Sequence, residues 1–191
     1  MKYRDEENPW QTFYQKTMYE TAWIKVVEHE CLNPKQEPAK YGVVEFKNIA
    51  IGILALDTNQ NIYLIGQWRY PLGQYSWEIP EGGGRLGFDP LEEAKRELKE
   101  EAGLTANHWE KLFEMHLSNS TTNELSMVYL AQDLVQGEAE PEDTEILKMK
   151  KVHLNTAYRM VEQGEITDAI SVAAIQRLYI DQSVKRLIQT P

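Results

Sequence analysis

Asp89 to Leu104 reads DPLEEAKRELKEEAGL, and its punctuation leaves few local structures open to it. Asp89 is a good N-cap, Pro90 suits the first helical position, Glu92 stands three residues after the cap as in a capping box, and Gly103 is a natural stop. The spacing predicts a helix from Pro90 to Ala102. At about 100° per residue, Leu91, Ala94, Leu98 and Ala102 form one apolar stripe, while Glu93, Glu97, Glu100 and Glu101 gather on an adjoining face. A like-charge pair such as Glu97 and Glu101, four residues apart, weakens a helix by roughly 0.2–0.5 kcal/mol, so a solvated acidic surface would be tolerable. The preceding EIPEGGGRLGF argues for more than that. Gly82, Gly83, Gly84 and Gly87 let backbone carbonyls approach a cation and amides approach a phosphate. Donors that are all oxygen select Mg2+ or Mn2+ over softer ions.

Around this helix the chain reads as mixed α/β. AWIKVVEHECL (Ala22 to Leu32) is strand-like and NPKQEP (Asn33 to Pro38) a turn. YGVVEFKNIAIGILALD follows, apolar at odd and even positions alike from Ile49 to Leu56, as in a strand covered on both faces. TNQN (Thr58 to Asn61) turns it into IYLIGQWRYP, expected as its antiparallel partner. SMVYLAQDL and EILKMKKVHL read as further strands, and helices open at Asn155 (NTAYRMVEQ) and at Asp168 (DAISVAAIQRLYI). The acidic stretch LVQGEAEPEDTE (Leu134 to Glu145) reads as a loop. The expected division falls near Tyr41: a β segment over 1–40 and an α/β body over 41–191.

Composition removes several classes of function. The 191 residues contain one cysteine, Cys31, which excludes a zinc ribbon or an internal disulfide and suits a reducing compartment. The start MKYRDEENPW is charged and polar, and no stretch approaches the roughly 20 apolar residues of a membrane span, so the chain is expected to be cytoplasmic and to bind no membrane. A formal net charge of −10 argues against nucleic acid as a partner, since phosphate neutralisation needs clustered Lys and Arg.

Gly82, Arg96, Glu97, Leu98, Glu100, Glu101, Gly103 and Leu104 match the pattern GX5EX7REUXEEXGU, where U is a bulky aliphatic residue. On these residues the chain resembles the Nudix hydrolases. The resemblance implies a Nudix α/β/α sandwich with a mixed sheet, carrying a small N-terminal antiparallel β domain, and metal-dependent hydrolysis of a nucleoside diphosphate linked to another moiety. It makes Glu97, Glu100 and Glu101 ligands of Mg2+ (Mn2+ possible), with Gly82 in the same metal site and Arg96 orienting the carboxylates. Phe88 departs from the pattern, standing where the box has its first glutamate; a phenyl ring offers a cation no oxygen.

Over most of the chain the similarity is to ADP-ribose pyrophosphatases and related nucleoside diphosphate sugar hydrolases, through GQWRYPLGQYSWEIPEGG and VEQGEITDAISVAAIQRL. It implies a nucleotide-sugar substrate and a homodimer formed through the N-terminal segment. Arg69 is then a fork for diphosphate oxygens, Trp68 and Trp77 platforms for the base, and Glu78 a partner for adenosine or ribose. Glu97 and Glu101 carry catalysis together with a carboxylate of the PEDTE loop, Asp143 or Glu142, as general base, and Glu145 is a further metal contact. Asn119 replaces a proline common in ADP-ribose pyrophosphatases and points to the sugar end of the substrate. The alternative is a Nudix-fold binding module that holds a nucleotide without cleaving it, with Phe88 as its signature.

Overall fold

The computed structural model describes residues 8–139 and 146–189. Within them the chain forms two compact units. One holds the described residues up to Asn48 together with Ser118–Glu124; the other holds Ile49–Leu117 and the described residues from Leu125 onward.

The first unit is an antiparallel sheet of β1 (Gln11–Glu20), β2 (Ile24–Leu32) and β3 (Pro38–Phe46) in that order. β1 has no counterpart in the sequence reading: QTFYQKTMYE lacks a clean alternation, and all ten of its residues are exposed. The turn before β3 forms as expected, with the Asn33 Oδ1 accepting from Lys35 N (2.9 Å) and Glu37 N (3.0 Å). Ser118–Glu124 docks on β3, where Phe46 N donates to Asn123 Oδ1 at 2.6 Å and Val44 N to the Thr121 carbonyl at 2.9 Å.

In the second unit β4 (Asn48–Ala55) pairs in parallel with β9 (Leu125–Gln136), and β9 pairs antiparallel with β8 (Leu104–His116). With β7 (Glu81–Arg85) they form a mixed sheet in the order β7-β4-β9-β8. β5 (Asn61–Arg69), β6 (Gln74–Glu78) and β10 (Lys148–His153) form an antiparallel sheet in the order β10-β5-β6. This corrects the expected pairing of β5 with β4. The turn at Asp57–Asn61 exists, closed by Asp57 Oδ1 accepting from Asn59 N and Asn61 N, but only a single bridge, Leu56 to Ile62, joins the two strands before they part.

β4 is covered on both faces, as its uniform hydrophobicity requires. Ile51, Ile53 and Ala55 meet Ala94, Leu98 and Ala102 of α1 (Pro90–Ala102). Leu54 and Leu56, from the opposite face, pack with Ala157 and Met160 of α2 (Leu154–Glu162) and with Ile170, Ala174 and Ile175 of α3 (Ala169–Gln189). Helices on either side of a mixed sheet make the α/β/α sandwich. α2 begins two residues earlier than expected: His153 rather than Asn155 caps it, its Nδ1 accepting from Asn155 N. Asp168 does cap α3, with Oδ2 accepting from Ser171 N at 2.7 Å.

Candidate active site

α1 has the predicted bounds, and both its ends are chemically fixed. Asp89 accepts from Leu91 N at 2.9 Å, and Gly103 closes the last turn at φ 61°, a left-handed conformation that favours glycine. Glu92 pairs with Lys95 at 2.7 Å instead of completing a capping box. The acidic face is not a solvated one: Glu93, Glu97 and Glu101 are all buried, because the helix lies on β7. That contact also explains why EGGGR is a strand and not the expected loop. A Cβ on Gly82 would overlap the Glu97 carboxyl group, and one on Gly84 would stand 2.8 Å from Ile51 Cγ1.

Two clusters of arginine and carboxylate meet at β7. In the first, Arg96 donates from Nη1 to Glu100 and from Nη2 to Glu97 (both 2.5 Å), to Glu93 (3.1 Å) and to the Gly83 carbonyl (3.3 Å). Glu93, only 2% exposed, also accepts from Arg85 Nε (3.0 Å) and Nη2 (2.7 Å). Hydrogen bonds from Arg85 first, then from Arg96, overcome burial and hold the Glu93 carboxyl below its ordinary range. Phe88 is turned outward, with the Arg85 guanidinium 4.0 Å above its ring.

In the second cluster, Arg69 donates to Glu78 through Nε (3.0 Å) and Nη2, and to Glu81 Oε1 through Nη2 (2.8 Å). Burial opposes the guanidinium charge, but Glu78, Glu81 and Asp168 more than offset it and keep Arg69 firmly protonated. Glu81 is short of cations. Burial first, then the charges of Asp168 and Glu78, push its carboxyl well above the usual range against the pull of Arg69. Its Oε2 is buried and receives no hydrogen bond among the described residues. Glu101 joins this second cluster, since its Oε2 accepts from Glu81 N at 2.9 Å. Ser171, at the start of α3, holds the same segment through its Oγ, which accepts from Ile79 N at 2.9 Å.

The structure therefore brings Gly82, Glu97, Glu100, Glu101 and Arg96 together, with Arg69 and Glu78 paired beside them. Trp68 is 62% exposed, whereas Trp77 is half-buried, edge-on to Tyr75 at 5.5 Å and covered by Lys150 Nζ at 3.9 Å. Asn119 belongs to the first unit. Glu142, Asp143 and Glu145 lie outside the described residues. Sequence reasoning missed Arg85, Glu81 and Asp168 as members of the two clusters. Glu93 had a legible signal, being three residues before Arg96 on one helix; Glu81 read as an ordinary loop acid.

Among the described residues, no three His, Cys, Asp or Glu side chains converge as the ligands of one ion. The donor chemistry nonetheless fits a hard divalent cation: Glu81, Glu97 and Glu101 are buried or nearly so, all offer oxygen, and Asp168 and Glu78 crowd the Glu81 carboxyl.

The NUDIX domain pattern matches residues 46–173. An ADP-ribose pyrophosphatase of Bacillus subtilis (strain 168) is 30% identical over 154 residues, which span 80% of this chain and 83% of that protein. An ADP-ribose pyrophosphatase of Mycobacterium tuberculosis (strain ATCC 25618 / H37Rv) is 33% identical over 130 residues, 66% of this chain and 62% of that one. The crystal structure of an ADP compounds hydrolase superposes with a TM-score of 0.84 over 95% of this chain and 98% of that chain; at 19% identity this is a likeness of fold. The carboxylate helix seated on a glycine strand is thus found in a chain whose pattern and relatives agree, and the chain belongs to the Nudix family, in its ADP-ribose pyrophosphatase branch.

Proposed function

We propose that the protein hydrolyses the pyrophosphate bond of ADP-ribose or a similar nucleoside diphosphate sugar, giving a nucleoside monophosphate and a sugar phosphate. That it is a pyrophosphohydrolase follows from its family; the substrate class is supported by the relatives that bear the name ADP-ribose pyrophosphatase. The observation that carries the reading is the packing of Glu97 and Glu101 against Gly82 and Glu81, which collects carboxylate oxygens at one end of β7.

Nudix enzymes generally need a divalent metal. Glu97, Glu100, Glu101 and the Gly82 carbonyl would hold it, and Mg2+ or Mn2+ suits such oxygen donors. When bound, the ion supplies neutralisation of the diphosphate and a lowered pKa for the attacking water. The rest falls to the chain. Arg96 fixes the rotamers of Glu97 and Glu100 through its two donors. Arg69, held along one edge by Glu78 and Glu81 and with about a third of its side chain open, meets the charge of the diphosphate. Trp68, the more open of the two tryptophans, offers a face for the base.

The N-terminal β unit serves in this reading as a homodimer contact, in keeping with Phe13, Tyr14, Met18 and Tyr19 exposed along β1. No helix among the described residues is long and apolar enough to cross a membrane, and we place the protein in the cytoplasm. The test is phosphate release, with a coupled phosphatase, from ADP-ribose, ADP-glucose, GDP-mannose, diadenosine polyphosphates and nucleoside triphosphates, each with Mg2+, Mn2+ or EDTA. Cleavage of one sugar nucleotide that EDTA abolishes is the expected result. Silence across the panel from folded protein would overturn the hydrolase reading in favour of a nucleotide-binding module.

A further inference from the structure

The chain lacks the first glutamate of the pattern that α1 matches, with Phe88 in its place, yet the glycine strand and the helix are still joined by a carboxylate. That carboxylate is Glu93, which the helix buries to 2% exposure between two guanidinium groups. Arg85, the last residue of β7, reaches it with Nε and Nη2, and Arg85 N approaches the other oxygen at 3.4 Å. Arg96, one turn further along α1, donates to the same carboxylate while its remaining bonds go to Glu97, Glu100 and the Gly83 carbonyl. Phe88 completes the arrangement from outside, its ring stacked on Arg85. A buried carboxylate shared by two arginines is costly unless it is kept saturated, and here every donor that saturates it belongs to the strand or to the residue that orients the helix carboxylates.

We propose that Glu93 is a positioning residue of this site. It ties Arg85 of β7 to Arg96 of α1, and through Arg96 it fixes the carboxylates of Glu97 and Glu100. The inference rests on the hydrolase reading for its consequence in turnover but not for the contact itself. Partners that act on a ligand through one intermediary typically change metal affinity or activity by about ten- to a hundredfold when lost.

The experiment compares Glu93→Gln with Glu92→Gln, which removes the same charge from an exposed position of the same helix. Side-chain 15N NMR of the arginines in metal-free protein is read first; Arg85 and Arg96 signals are expected to shift and broaden in Glu93→Gln and to stay in place in Glu92→Gln. Mn2+ affinity by EPR, and kcat and KM for the best substrate, are read second. The expected result is Mn2+ binding weakened and kcat lowered about ten- to a hundredfold, KM little changed, and Glu93→Asp recovering part of the loss. Arg85→Gln, at a position more than half exposed, keeps the test open should Glu93→Gln unfold, and is expected to disturb the Arg96 signals in the same direction. Unmoved arginine signals in folded Glu93→Gln would overturn the inference whether or not the protein proves to be a hydrolase. So would wild-type Mn2+ affinity and kcat in that variant. A wild-type protein that neither binds Mn2+ nor cleaves any substrate, with the Arg96 signals still dependent on Glu93, would instead sink the hydrolase reading alone.

Discussion

Glu93 and Glu81 lie at opposite ends of β7, both glutamates, both withdrawn from water, and they are electrostatic opposites. Glu93 accepts from two arginines, Arg85 and a shared Arg96, and is held ionised. Glu81 shares one arginine with Glu78, faces Asp168, and has an oxygen with no partner among the described residues. The first is a finished structural joint; the second is crowded by negative charge that one shared arginine, among the described residues, does not balance. Burial alone therefore says little about what an acid is for, and the ratio of cations to carboxylates around it says much more.

The largest effect is expected at the acid bonded to the Glu81 backbone. Glu101→Gln keeps the shape of the side chain and its bond to Glu81 N but removes a charge, and turnover is expected to fall by roughly 10²–10³-fold in the phosphate-release assay. Near-normal activity would remove Glu101 from the chemistry. Next come the two glutamates themselves, compared by urea unfolding at neutral pH. Glu93→Gln is expected to destabilise by about 1–3 kcal/mol, because two guanidinium groups lose a buried acceptor charge. Glu81→Gln is expected to be neutral or stabilising, since it relieves repulsion from Glu78 and Asp168. Equal losses in the two would erase the distinction.

A smaller effect tests the frame that carries Glu93. Asp89→Ala removes the cap of α1, and a loss of about 1 kcal/mol is expected in the same assay, with no change in the sign of the glutamate pair. The smallest concerns a control acid outside both clusters. Burial tends to raise the Asp57 carboxyl, but hydrogen bonds from Asn61, Lys151 and Asn59 outweigh it and lower it to about 2. A depressed pKa means that the folded state binds the proton less readily than the unfolded chain, so this stabilisation is complete above about pH 4 and is lost as pH falls towards 2. Asp57→Asn is expected to flatten that part of the stability curve and to leave the contrast between Glu93 and Glu81 untouched.

Much of this was open to reading in the sequence where the information is local. The cap, stripe and stop of α1 are set by residues within one helix, and the match of Arg96, Glu97, Glu100 and Glu101 to the family pattern follows from spacing alone. The two-sided burial of β4 was legible because neither face of Ile49–Leu56 is polar. Long-range choices were not. β5 looks like the hairpin partner of β4 because a good turn joins them, yet strand pairing is decided by where β10 and β9 arrive, more than sixty residues later. Glu81 and Asp168 are 87 positions apart, so their mutual repulsion has no sequence signature. EGGGR reads as a loop until α1 is laid on it and leaves no room for side chains at Gly82 and Gly84.

The parallel pairing of β4 with β9 sets a timetable for the chain. Ala50 is matched with Ser126, so the central sheet closes over a long intervening segment, whereas α1 and β7 are near neighbours that can meet as soon as both have formed. Non-local pairing of this kind slows folding through the entropy of closing the loop. During synthesis the carboxylate helix and its glycine strand are already made when the strand that will close the sheet is still unmade, and the ion pairs of Arg85 and Arg96 with Glu93 must survive that interval without the core that later surrounds them.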